Sequence, residues 1–172
     1  MDMNKTTLYV YEMAEIALCN AGVECYTFTD KNFVGRDRPP GACLPDEPIF
    51  NALQWAYKSL PRRYDAIINI LANCPQHTGE GVQKAIERFE ALGVDELRSF
   101  NKDGSESGLM ILKEKTLLEK HQISTYQGAI ELESIEIHTQ EDYEKCRKLI
   151  TLPRSGRIIT DQSKPLKTLS TA

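Results

Sequence analysis

A chain of 172 residues, 41% apolar and 27% charged, is long enough for one domain with a real core. A formal net charge of −4 offers no general attraction to nucleic acid or to an anionic membrane, and no apolar run approaches the length of a span. Five scattered cysteines without a Cys-x-x-Cys pair argue against zinc and thioredoxin-like centres and suit reduced thiols. The start, Met1-Asp2-Met3-Asn4-Lys5, lacks the apolar core of a secretory signal, so a cytoplasmic location is expected.

Thr7 to Tyr11 (Thr-Leu-Tyr-Val-Tyr) opens as a short strand. Met13, Ile16, Ala17 and Ala21 then recur at helical spacing, and Gly22 stops the helix. Val23 to Thr29 reads as a strand, and residues 30–46 as a long irregular loop made basic by Lys31, Arg36 and Arg38. Asp46 and Pro48 are start signals for a helix whose face is Ile49, Phe50, Leu53, Tyr57 and Leu60.

The stretch from Tyr64 to Thr78 is the centre of the pattern. Ala66 to Ala72 is apolar except for Asn69, as expected of a strand buried on both faces inside a sheet. Polar residues begin at Asn73, Pro75 ends any ladder, and Thr78 is placed to cap the next helix. That helix carries Val82, Ala85, Ile86, Phe89 and Leu92 on one face and ends at Gly93. In open α/β proteins, the loop at the carboxyl end of such a strand is where ligands bind.

Val94 to Phe100 alternates apolar and polar residues and suits a more exposed strand. A turn-rich stretch, Asn101 to Gly108, leads into a strand at Leu109 to Leu112. A short helix at Glu114 to Lys120 and strands at Thr125 to Leu132 and Ile135 to His138 follow. Thr139 and Asp142 have capping-box spacing ahead of a helix with Tyr143, Cys146 and Leu149 on one face. The chain from Pro153 onward is polar and without periodicity, which reads as a mobile tail. Strands alternating with helices imply an α/β layer architecture with a largely parallel sheet.

Four segments, in order, resemble the acylneuraminate (sugar-acid) cytidylyltransferase family. They are Glu12 to Glu24, Arg38-Pro39 followed by Ile49 to Trp55, Asp65 to Thr78 with Ala85-Ile86, and Ser134 to Asp142. The resemblance covers about Thr7 to Ile150. It implies a three-layer α/β/α nucleotide-diphospho-sugar-transferase-like domain over 1–150 with a mostly parallel sheet, followed by the tail at 151–172. The family's first βα unit, with its phosphate-binding loop, would precede Thr7, where nothing matches.

The resemblance also implies a nucleotidyltransferase of nucleotide-sugar biosynthesis. The reaction would be transfer of CMP from CTP to a sialic-acid-like or other sugar acid, with Mg²⁺, chemistry that depends on positioning and charge neutralisation. Its other implied reading is a non-catalytic binding or scaffold relative that associates with a complete homologue. A homo-oligomer would cover the surface that a lost strand exposes.

Asn73, His77, Thr78 and Arg38 fall at positions implied to contact nucleotide or substrate, and Glu136 and His138 at the metal positions. The family's paired aspartates are replaced by Glu136 and His138, and its loop glutamine and arginine by Leu71 and His77. Each residue also has a plain structural reading. His77 could bond a backbone carbonyl, Arg36 and Arg38 could be solvated, and Thr139 and Asp142 could simply cap. Cys74, with no base in view, reads as a small buried residue. No catalytic residue is assigned.

Overall fold

The structure is a computed structural model describing residues 14, 17–23, 28–29, 36–37, 49–119 and 126–149. Thr7 to Tyr11, Lys31, Arg38, the start signals Asp46 and Pro48, and the tail at 151–172 lie outside the described residues.

Helical residues 14 and 17–20 form α1, and Gly22 follows with φ 74°. Of the strand expected at Val23 to Thr29, Phe28–Thr29 (β1) is described as strand, and it pairs in parallel with Arg36–Asp37 (β2). Then come α2 (Ile49–Lys58), β3 (Ala66–Ile70), α3 (Gly79–Leu92), β4 (Glu96–Phe100) and β5 (Glu106–Lys113). Helix α4 (Glu114–Glu119), β6 (Gln127–Glu131) and α5 (Gln140–Leu149) complete the described chain.

The main sheet has the order β3-β5-β4-β6. Strand β5 is antiparallel to both its neighbours, whereas β4 and β6 are parallel, so β3, β4 and β6 run one way and β5 runs against them. The sheet is therefore mixed. The reversal has a local cause. Asn101 N–H donates to Ser105 O (2.8 Å) and Gly104 N–H to Asn101 O (2.9 Å), closing a short turn that only an antiparallel pair can use.

Helices cover both faces and make three layers. On one side Ala17 of α1 and Val82, Ala85 and Phe89 of α3 pack with Leu97, Leu109 and Ile111. On the other, Tyr57 of α2 and Leu117 of α4 pack with Leu112, and Phe50, Leu53 and Ile67 fill in around them. The α2 face is as expected except that Ile49 is exposed and Gln54 is buried, its Nε2 donating to Leu117 O at 2.6 Å. On α5, Cys146 is buried but Leu149 is exposed.

Two strands differ from their sequence expectations. Strand β3 is half-buried along its length and, among the described residues, pairs only with β5. Its apolar run fits an interior strand, but burial requires a second neighbour. Strand β4 lies between β5 and β6, and its alternating pattern hides Glu96, which is 1% exposed. Arg98 compensates, with Nε 2.5 Å from Glu96 Oε1 and Nη1 2.7 Å from Glu106 Oε1.

The strand expected at Ile135 to His138 is also absent; that segment is irregular. Its partners are a loop and side chains rather than a ladder. Ile137 N–H donates to Asn73 O (2.8 Å), Ile135 N–H to Gln76 Oε1 (2.6 Å) and Ser134 N–H to Asn101 Oδ1 (2.8 Å).

Candidate functional site

The site grows from the carboxyl end of β3. Leu71 N–H donates to Gly108 O (2.8 Å), and Cys74 N–H returns to Leu71 O (2.9 Å), so the chain leaves the sheet in a tight turn. Cys74 and Pro75 are buried there. Gly108 makes the turn fit. Its φ is 84°, and a Cβ on it would stand 2.5 Å from Cys74 Sγ, so both the conformation and the space call for glycine. The close neighbours of Gly108 are Cys74 and Leu71.

His77 points inward. It is 5% exposed, with Nε2 2.6 Å from the carbonyl oxygen of Ser107. A carbonyl only accepts, so Nε2 carries the proton and the imidazole is a donor. Burial holds its pKa below the ordinary imidazole value, opposed by the bond to Ser107. The arrangement places a neutral tie between loop and sheet where the resemblance implied a ligand contact.

Thr78 caps α3, accepting from Gly81 N–H at 3.1 Å, and Gly93 closes the helix with φ 63°. The Cys74 thiol is pushed up to about 11 by burial first and then by the charge of Glu136, with the Ser134 hydroxyl opposing. A thiol so placed stays protonated and is a poor nucleophile.

The exposed chemistry gathers between Asn73 and the irregular segment. Asn73 Nδ2 donates to Glu136 Oε1 at 3.0 Å, and His138 Nε2 lies 3.1 Å from the same oxygen. Residues 63 positions apart are thus joined at the mouth of the β3 loop. Among the described residues nothing is bonded to Glu136 Oε2. Asp142 serves as a cap beside this cluster: it accepts from Thr139 Oγ1 (2.7 Å) and Thr139 N–H (2.9 Å), which lower its pKa, and more distantly from His138 N–H (3.3 Å), as a capping box requires.

A carboxylate and an imidazole can share a divalent cation, a pair that suits manganese or zinc better than magnesium. Among the described residues there is no group of three or more His, Cys, Asp and Glu arranged to hold a metal. A cation here would complete its shell with water or with a ligand's phosphate oxygens.

The structure therefore joins Asn73, Glu136 and His138, keeps Thr78 nearby as a cap, and buries His77. Arg38 lies outside the described residues, and of Arg36 only the backbone is described. Sequence reasoning missed Gln76, which positions the irregular segment, and Ser107, which receives His77. The only signal for either was proximity in sequence to the loop and to the glycine turn.

No family model matches the chain, and no curated protein matches it in sequence. Solved structures do resemble it. Rv0371c from Mycobacterium tuberculosis H37Rv superposes with a TM-score of 0.55 at 13% identity, over 84% of this chain and 85% of that one. Its complex with manganese gives 0.54 at 13% identity, over 84% and 86%. The 4-diphosphocytidyl-2C-methyl-D-erythritol synthase of Anaerococcus prevotii DSM 20548 gives 0.51 at 12%, over 83% and 87%.

The chain shares the fold of these structures. At these identities the likeness is one of architecture: a three-layer α/β domain with a mixed sheet. No helix among the described residues is long and apolar enough to cross a membrane.

Proposed function

We propose that the chain is a cytidylyltransferase-type protein that takes a cytidine nucleotide and a sugar acid at the carboxyl end of β3. The reaction proposed is transfer of CMP from CTP to a sialic-acid-like or related sugar acid. The observation that supports it is the Asn73–Glu136–His138 cluster, set on a nucleotidyltransferase-like fold where α/β proteins bind ligands. Glu136 would hold a divalent cation, Mg²⁺ or Mn²⁺, with His138 beside it; the cation, when bound, neutralises phosphate charge. Asn73 orients the carboxylate, and the Arg38 guanidinium would contact an anionic group.

Purified protein with CTP, Mg²⁺ or Mn²⁺ and a panel of sugar acids should release pyrophosphate. Glu136→Gln should reduce that rate at least tenfold while leaving the fold intact. No pyrophosphate from folded protein would refute the transfer reaction.

A second reading is a non-catalytic binding or scaffold relative that works beside a complete homologue. It is favoured by the use of His77 and Cys74, the loop's two reactive side chains, as buried structural groups. Under this reading calorimetry finds no CTP binding at millimolar nucleotide, and the chain co-elutes with the homologue. CTP binding that depends on Glu136 would exclude it.

A further inference from the structure

Glu136 stands on a segment that is tied down without a strand ladder. Leu132 N–H still bonds Phe100 O at 3.0 Å, in continuation of β6. Past that point the ties come from two loops. The turn between β4 and β5 supplies the first pair: Lys102 N–H donates to Glu133 Oε1 (3.0 Å), and Ser134 N–H donates to Asn101 Oδ1 (2.8 Å). The β3 loop supplies the second: Ile135 N–H donates to Gln76 Oε1 (2.6 Å), and Ile137 N–H donates to Asn73 O (2.8 Å).

The second pair brackets Glu136, one bond coming from the residue before it and one from the residue after. The later bond is made by Asn73, whose Nδ2 also donates to Glu136 Oε1 at 3.0 Å. The earlier bond rests on the Gln76 side chain, where a ladder would use the carbonyl of a neighbouring strand. Ile135 and Gln76 are both half-buried, so an N–H deprived of this acceptor must shift to find another. Any such shift moves the next residue, Glu136, against Asn73 and against His138 Nε2, which lies 3.1 Å from the same carboxylate oxygen.

We propose that Gln76 is a positioning residue for the Glu136–His138 pair: by fixing Ile135, its Oε1 sets where the Glu136 carboxylate lies and so how tightly the pair holds a divalent cation. The inference rests on the cation reading of Glu136 and His138 and adds to it a residue that does not ligate the ion. Groups that orient a metal ligand from behind change metal affinity by about ten- to a hundredfold when removed.

Mn²⁺ binding to the full chain, followed by the EPR signal of the free ion, tests it together with NMR of the Asn73 side-chain amide. Gln76→Met keeps the length of the side chain and removes the acceptor; it should weaken Mn²⁺ binding about tenfold and shift the Asn73 Nδ2 signals. Gln76→Glu keeps an acceptor at the same place; it should bind Mn²⁺ as well as the wild type or better, with the Asn73 signals unmoved. Leu97 and Ile111 amides should stay protected from exchange in both variants, showing an intact core. Wild-type Mn²⁺ affinity in Gln76→Met overturns the proposal, and so does an equal loss in Gln76→Glu. Loss of protection at Leu97 and Ile111 in Gln76→Met also overturns it, since the role of Gln76 would then be general stability. If the wild type binds no Mn²⁺, the cation reading fails by itself and the Asn73 signals decide the positioning role. A shift in Gln76→Met that is absent in Gln76→Glu supports that role, and any other pattern overturns it.

Discussion

Strand β4 is paired on both sides; strand β3, at the margin of the described sheet, is paired on one. Between β5 and β6, β4 keeps Leu97 and even Glu96 from water, with Arg98 neutralising the carboxylate. Strand β3 has no charged residue within its bounds and yet is half-buried throughout. Burial of a strand is thus a property of its neighbours. A charge in the centre must be met from within the protein, and an aliphatic edge must be covered by something further.

The contrast predicts unequal costs for equal truncations. Leu97→Ala should destabilise by about 4 kcal/mol in urea unfolding, because a sealed site collapses poorly. Ile68→Ala should cost about half as much, since Ile68 is only half-buried. Equal losses would break the distinction between centre and margin.

Arg98→Met comes next, at about 3 kcal/mol, because it leaves the Glu96 carboxylate in the sheet without its guanidinium. A neutral outcome in the same unfolding assay would mean that Glu96 draws its support from elsewhere.

The join between the β3 loop and β5 is probed by Gly108→Ala, expected to cost about 2 kcal/mol. The positive φ and the contact with Cys74 both resist a methyl group. Adding Cys74→Ala should recover part of the loss by freeing space, and no recovery would assign the whole effect to the backbone.

His77 should make this join sensitive to pH. Its pKa is lowered in the folded protein, so the unfolded chain binds the proton first. Stability should be at its plateau above the ordinary imidazole value of about 6.5 and fall as pH drops below it, down to the folded pKa. His77→Phe should abolish that slope in unfolding curves measured across the range, while an unchanged slope would place its source at another group. The smallest effect expected is that of Thr78→Ala, about 1 kcal/mol through the lost cap, with Thr78→Ser close to neutral.

Much of the candidate site was legible only as a place. The apolar run ending at Asn73 correctly marked a strand followed by a polar loop and a capped helix, and Asn73 and Glu136 were both singled out. Their contact was not legible, because it spans 63 positions and depends on how residues 132–138 cross the end of the sheet. The direction of His77 was equally hidden. A histidine in a polar loop reads as available, but the carbonyl of Ser107 on β5 draws it inward.

By itself the sequence determined what neighbours in the chain can settle. The helices at 49–58, 79–92 and 140–149, the Thr78 cap, the Gly93 stop and the Thr139–Asp142 box all rest on contacts within about four residues. Only the tertiary structure decided which strand is central, which lies at the margin of the described sheet, and which loop side chains face water. Those depend on pairing between distant segments, and the alternation that hides Glu96 in β4 would expose it on a strand with no partner to either side.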